Sequence, residues 1–387
     1  MTVRVSKPTI NLRDKLSELD IPVGSHGTQL MKSADAAESF NLVQAGRKNL
    51  IINGDFRIAQ RSTSIDTAGA SSTYHSLDRW MTQIQSGTIT ESQQSLTSSD
   101  SGPWEKGFRK YMRILNKTPI GAGAAQYAEI DQRIEAQDLA QSGWEYTSAS
   151  SYITLSFWIR ASVTQNYIVV LYSQDGTQRH FPFEVPLNAN IWTKVTKSIP
   201  GYTGITVTND NGPGLAVCFV ASYGTNYTSN SGYFDTWNTT GGGTNRWPDM
   251  ATAWSTTTNA TFDITGVQLE AGSIATSFEH RSYGEELALC QRYYYKNDAI
   301  ANGDGYRTWS HPFDLQSNAR RASIRHPVRM RATPAITSIV HDEDTGSDKT
   351  TGDALYVSDE VWTFRRDCTN TTAGYARIER WEAKAEL

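Results

Sequence analysis

A mainly β chain is predicted, with short amino-terminal helices, a central jelly-roll β-sandwich and a smaller carboxy-terminal β-sandwich. Three observations predict it. Apolar and polar residues alternate with period two, as where Tyr152, Thr154, Ser156 and Trp158 interleave with Ile153, Leu155, Phe157 and Ile159. Hydrophobic residues make up 38% and charged residues 20% of the 387 positions, and the balance is Ser, Thr, Asn, Gln and 29 Gly, a composition that suits loop-rich β structure. Helical spacing is prominent only in the first 47 residues.

Those residues carry two short amphipathic stretches. Leu12, Leu16 and Leu19 share one helical face, with Asn11 placed to cap it, Asp14 three residues on, and Pro22 ending it. A second stretch begins near Ser33, places Ala36, Phe40 and Val43 on one stripe, and stops at Gly46. Helices this short cannot bury enough surface alone. Segment 1–47 is therefore expected to attach to something else, through Leu12, Leu16, Leu19, Phe40 and Val43.

From residue 48 to 283 the pattern is that of strands. Leu50-Ile51-Ile52 leads into Asn53-Gly54. The run Tyr167–Tyr172 is almost wholly apolar, as in a strand covered on both faces. Asp175-Gly176 reads as the hairpin turn into Arg179–Val185. Ile191–Val195, Ile205–Thr208, Leu215–Val220 and Thr261–Leu269 continue the series, and roughly eight to ten strands at such spacing imply a sandwich or jelly roll. Residues 224–258 form a long polar segment with Tyr227, Tyr233, Phe234, Trp237, Trp247 and Trp254 around three glycines. A loop of that length is usually functional or interfacial. Tyr233, Trp237 and Trp247 are its candidates for stacking against sugar rings. Wedging into a neighbouring chain is the competing role.

Residues 284–387 read as a third unit. Glu285–Cys290 suits a linker helix. Arg325–Arg331, Ala335–Val340, Ala354–Val357, Val361–Arg365 and Tyr375–Trp381 read as strands, with Pro312, Pro327 and Pro334 limiting where pairing can run.

Composition excludes several classes. A net charge of −4 provides no basic field for nucleic acid, and the arginines at 320, 321, 325, 329 and 331 suit a solvated or interchain face. Cys218, Cys290 and Cys368 form neither a disulfide framework nor a metal spacing. No apolar stretch has the length of a membrane span, and no signal core is visible at the amino terminus, so export by a cleaved signal is not expected. No nucleophile elbow, phosphate loop or zinc-protease helix occurs. The seven histidines are scattered singly. Carboxylate pairs such as Glu129 with Asp131, or Asp235 with Asp249, are of a kind that arises by chance on strands, so no enzyme is expected.

Several motifs resemble a known family. Val5-Ser6-Lys7-Pro8 through Leu16 resembles the start of fibre-type proteins of marine and cyanobacterial phages. Gly46–Phe56, then Tyr74 with Asp78-Arg79-Trp80, Phe157–Ser162, Ile191-Trp192, and the string from Phe262 through Glu279-His280-Arg281 to Cys290-Gln291-Arg292-Tyr293-Tyr294-Tyr295 are similar to the β-sandwich module of bacteriophage tail and neck fibres. The module is also similar to jelly-roll carbohydrate-binding modules. The resemblance implies a homotrimeric virion protein, made in the host cytoplasm. It would be joined by segment 1–47 to tail or neck proteins and would present its sandwiches to a host-surface polysaccharide. The alternatives it leaves are a free carbohydrate-binding module, a capsid decoration fibre and a glycan-depolymerising tailspike. It also implies a candidate structural calcium at Asp55, Asp263 and Glu270, although Arg57 stands where an acidic residue is expected. No other cofactor is expected.

Overall fold

The computed structural model describes residues 48–229, 233–239, 247–297, 314–316, 319–342, 347–349, 353–367 and 376–387. The anchor residues Leu12, Leu16, Leu19, Phe40 and Val43 lie outside this set. From Asn49 to Leu387 the chain forms one compact unit.

Two antiparallel sheets make the central sandwich. With strands numbered along the chain, the six-stranded sheet runs β1 (Ser64–Ala68), β4 (Thr88–Ser95), β5 (Lys110–Thr118), β15 (Ala260–Ala271), β7 (Tyr152–Ala161) and β10 (Thr193–Pro200). The seven-stranded sheet runs β13 (Asn238–Thr239), β9 (Arg179–Leu187), β8 (Gln165–Ser173), β11 (Pro213–Tyr223), β6 (Tyr127–Glu135), β3 (Met81–Ile84) and β2 (Ser71–Thr73). The mainly β, two-sheet expectation holds, but the strands outnumber the eight to ten anticipated. The additional ones lie largely between residues 64 and 135, where Thr, Ser, Gln and Glu on the strands blur the alternation.

Burial follows the period-two pattern. In β7, Ile153, Leu155, Phe157 and Ile159 are fully buried between the sheets, while Trp158 and Arg160 point the other way. β8 is covered on both faces, as its apolar run predicts. Tyr167, Val169 and Leu171 enter the main core, and Ile168, Val170 and Tyr172 enter a second cluster with Cys218 and Trp247. Tyr227, Phe234, Trp247 and Met250 of segment 224–258 thus roof the outer face of the seven-stranded sheet, while its Trp237 and Trp254 join the main core. Asp175-Gly176 does turn β8 into β9, with Gly176 in the left-handed region.

Two expected strands do not form in the sandwich. Leu50–Ile52 forms no strand and is tied to β15 by the bond from Leu50 N to Leu269 O. Ile205–Thr208 gives only a single bridge between Thr206 and Asp175.

The string from Phe262 to Tyr295 works as a clasp. Arg281 donates to the carbonyls of Asn49 and Ile51, and Asn53 N donates to Glu286 Oε1 at 2.5 Å. Asn53, in the left-handed region, accepts from Trp80 Nε1 through its carbonyl. The end of the module therefore holds its beginning. The helix expected at Glu285–Cys290 is present as α3 (Tyr283–Gln291), capped by Ser282; α1 (Ala136–Ala140) and α2 (Ala253–Thr256) are shorter.

Beyond α3 lie two four-stranded sheets. One runs β16 (Tyr294–Asn297), β23 (Ala376–Lys384), β19 (Ala335–Asp342) and β20 (Ser347–Lys349). The other runs β17 (Asp314–Gln316), β18 (Ala319–Arg325), β22 (Val361–Asp367) and β21 (Asp353–Val357). Trp362 and Trp381, 5.3 Å apart, centre their shared core. The strand expected at Arg325–Arg331 lies earlier, at β18, because Pro327 lacks the donor that pairing needs. Arg292 and Tyr293 fasten this sandwich to Glu135 of β6. Glu386 pairs with Arg61 and Arg79, whose guanidiniums lie 3.6 and 3.5 Å above the rings of Tyr294 and Tyr293.

Candidate functional site

The outer face of the six-stranded sheet carries a cluster of aromatic and charged side chains. Strand alternation turns Tyr111 and Arg113 of β5, Trp158 and Arg160 of β7, and Asp263 of β15 onto this face. Trp192 joins from the residue before β10. The loop 97–109 crosses the face and adds Asp100, Trp104 and Phe108. Leu96, Phe108 and Tyr111 are buried at its centre, with half-buried Trp104, Trp158, Trp192 and Phe278 packed around them.

Two glycines allow the loop to lie this close. A Cβ on Gly266, which sits in the left-handed region at a bulge of β15, would stand 2.6 Å from the Phe108 ring. A Cβ on Gly102 would stand 2.7 Å from the Trp158 ring. Any larger side chain at either position would push the loop off the sheet.

A charge network fixes the cluster. Asp263 is fully buried and accepts from Arg113 (Nε 2.7 Å, Nη2 2.8 Å) and from Arg160 (Nε 3.0 Å, Nη2 2.9 Å). Arg160 reaches on to Asp100 Oδ1 at 2.9 Å and lies 4.5 Å from the Trp192 ring centre. Trp192 Nε1 donates to the same Asp100 oxygen at 3.1 Å, and its ring meets Tyr111 edge-on. Burial works to raise the Asp100 carboxyl, but hydrogen bonds from Thr97 and Trp192 and the charge of Arg160 outweigh it and hold the group below its ordinary value. The bond to Asp263 holds the Arg113 guanidinium above its usual range. Trp192 is thus held by an already paired network, so ordering it against a ligand would cost little entropy.

The positions predicted from sequence fall elsewhere. Tyr233 is 46% exposed. Trp237 is packed on Phe181 and donates to Pro200 O at 2.7 Å. Trp247 is 1% exposed, wedged between His180 and Tyr223. The expectation that Trp237 and Trp247 offer open faces to sugars is therefore corrected, because the apolar outer face of β8 and β11 draws Trp247 inward. Asp55, Asp263 and Glu270 each have partners of their own. Asp55 pairs with Arg57 at 2.9 Å, Asp263 with the two arginines, and Glu270 accepts from Thr276 and Gln268. Among the described residues no group of three or more His, Cys, Asp or Glu could hold a metal ion. Glu129 and Asp131 share the outer face of β6 as their spacing implies, but both are buried, Glu129 beside Cys218 and Asp131 beside Tyr172. Asp235 bonds Lys197 rather than Asp249.

Trp158, Arg160 and Trp192 lie in two motifs visible in the sequence, and alternation from Phe157 and Ile159 already points Trp158 and Arg160 outward. Asp263 stands in the string that begins at Phe262, but Arg113 carried no such signal, and nor did the pairing between them, which spans 150 residues.

No family model matches the sequence, and no curated protein sequence matches it. Matches among solved structures include the enzymatically active domain of bacteriophage CBA120 tailspike protein 4, at 10% identity and a TM-score of 0.31 over 58% of this chain and 21% of that one. A family 11 carbohydrate-binding module of a Clostridium thermocellum cellulosomal cellulase is 10% identical, with a TM-score of 0.27 over 56% of this chain and 99% of the module. The amino-terminal cellulose-binding domain of Cellulomonas fimi β-1,4-glucanase C gives 10% identity and a TM-score of 0.25 over 43% of this chain and 80% of that domain.

Proposed function

We propose that this chain is a non-enzymatic structural protein of a bacteriophage appendage, a homotrimeric tail or neck fibre that adheres to a host-surface glycan. Residues 1–47 attach it to the virion, the sandwich of residues 48–283 binds the glycan, and residues 284–387 form the distal end. The virion role is supported by the fibre-type motifs, from Val5–Leu16 to the Phe262–Tyr295 string. The adhesive role is carried by one observation: half-buried Trp104, Trp158 and Trp192 cluster on the outer face of the six-stranded sheet, with Trp192 held by the Asp100–Arg160–Asp263–Arg113 network. Each ring in contact with a sugar would supply roughly 1 kcal/mol. Useful affinity then requires several chains acting together, which a trimer provides.

Light scattering on the purified chain tests the assembly, with three times 43.0 kDa expected. A stable monomer that binds sugar would favour the free carbohydrate-binding module instead. Deletion of residues 1–47 is expected to abolish incorporation into particles while leaving the β fold intact by circular dichroism; a truncated protein that still joins virions would remove the anchor. Release of reducing sugar ends from polysaccharide of susceptible cells would show a depolymerase.

A further inference from the structure

The aromatic face carries Arg109, Arg113, Arg160 and Lys194 together with Asp100, Glu105, Asp263 and Glu270. Three of these acids are already engaged. Glu270 accepts from Gln268 and Thr276. Asp263 is consumed by its two arginines, and Asp100 by Arg160, Trp192 and Thr97. Three cationic positions are left over beside the rings. Arg109 lies 3.7 Å over Trp104 and donates only to backbone carbonyls. Lys194, paired in register with Trp158, holds its ammonium 6.0 Å from that ring and forms no ion pair among the described residues. Arg113 Nη1 takes no part in the pairing with Asp263.

We infer that this face selects an anionic glycan: sugar rings lie against Trp104, Trp158 and Trp192 while carboxylate or phosphate groups on the chain meet Arg109, Lys194 and Arg113 Nη1. The inference rests on the glycan-binding reading and adds the ligand's charge. Neutral sugars would meet the rings but leave these cations unanswered. A glycan with a negative group on successive residues satisfies both. Guanidinium and ammonium groups beside aromatic faces also strengthen the rings' hold on the cations, which keeps the charges in place before the ligand arrives.

The test is an array of bacterial polysaccharides, carboxylated, phosphorylated and neutral, probed with the full chain. Each anionic ligand that binds is then compared with its own carboxyl-reduced or dephosphorylated form. Binding confined to the anionic members is expected, weakened about tenfold or more when the charge is removed, with a comparable loss at raised ionic strength. Lys194→Met and Arg109→Met, combined in one protein, should reproduce that loss, and Lys194→Arg should restore part of it. Carboxylated and phosphorylated hits distinguish the source of the anion. Equal binding to neutral and charged members would overturn the inference and leave the glycan reading standing. Binding to no polysaccharide would overturn both. Anionic binding insensitive to the double substitution would place the charge recognition elsewhere and overturn the assignment to this face.

Discussion

Replacing Asp263 with alanine removes the one carboxylate that two arginines share. Its side chain is fully buried, whereas those of Arg113 and Arg160 are 27% and 17% exposed. Four charge-assisted hydrogen bonds end on it. Removing one partner of a buried pair costs about 3–5 kcal/mol, because the remaining charge is left uncompensated. Here the arginines can recover some hydration through their exposed edges, so the lower end of that range, about 3 kcal/mol, is expected. The assay is urea unfolding followed by tryptophan fluorescence, with the slope of the transition compared between variants to confirm that the same surface unfolds. Arg160 would also lose its hold on the Trp192 ring, so glycan binding should weaken alongside stability. A loss under about 1 kcal/mol would class the network with solvated surface ion pairs and refute the claim that it holds Trp192 in place.

Two further perturbations test other parts of the molecule. Burial pushes the Asp78 carboxyl up to about 6, against the charge of Arg61 and the bonds from Gln60. The folded value lies above the unfolded one, so folding takes up a proton between about pH 4 and 6, and stability falls as pH rises through that window. The cost above it is about 3 kcal/mol. Asp78→Asn should therefore narrow the difference in urea midpoint between pH 5 and pH 7.5, and an unchanged difference would assign the pH dependence to other groups. Glu386→Ala leaves Arg79, whose side chain is 1% exposed, without its carboxylate. Hydrogen exchange should accelerate across residues 381–387 and 293–296, and a loss of about 3 kcal/mol is expected. Unchanged protection would mean that Arg292, Tyr293 and Glu135 fasten the second sandwich without help.

Much of the fold was legible because burial on one face writes itself into strand alternation. Ile153 to Ile159 and Tyr167 to Tyr172 show it most plainly, one strand half-covered and the other covered on both faces. Strands β3 to β6 were harder to read. Thr88–Ser95 turns Ile89 into the core but also buries Glu91 there among hydrogen bonds, so its inward positions are not uniformly apolar. Pro327 shifted a strand because a ladder needs donors that composition alone does not display. The aromatic loop misled for a related reason. Large aromatic residues in a polar segment suit an exposed site and a roof over an apolar sheet face equally well. The outward β8 residues Ile168 and Val170 decide for the roof. The candidate site was half visible. Trp158, Arg160 and Trp192 stand in recognisable motifs, but the Arg113–Asp263 pair arises only once β5 and β15 lie side by side.

The central proposal is that the outer face of the six-stranded sheet, and not the segment after Gly224, holds a glycan. The most direct measurement is titration of a bound polysaccharide against Trp192→Ala and, separately, Tyr233→Ala, with circular dichroism confirming the fold of each. Loss of binding of about tenfold or more in Trp192→Ala, with little change in Tyr233→Ala, is the expected result, on the scale of truncating a central aromatic anchor. The reverse order of effects would contradict it.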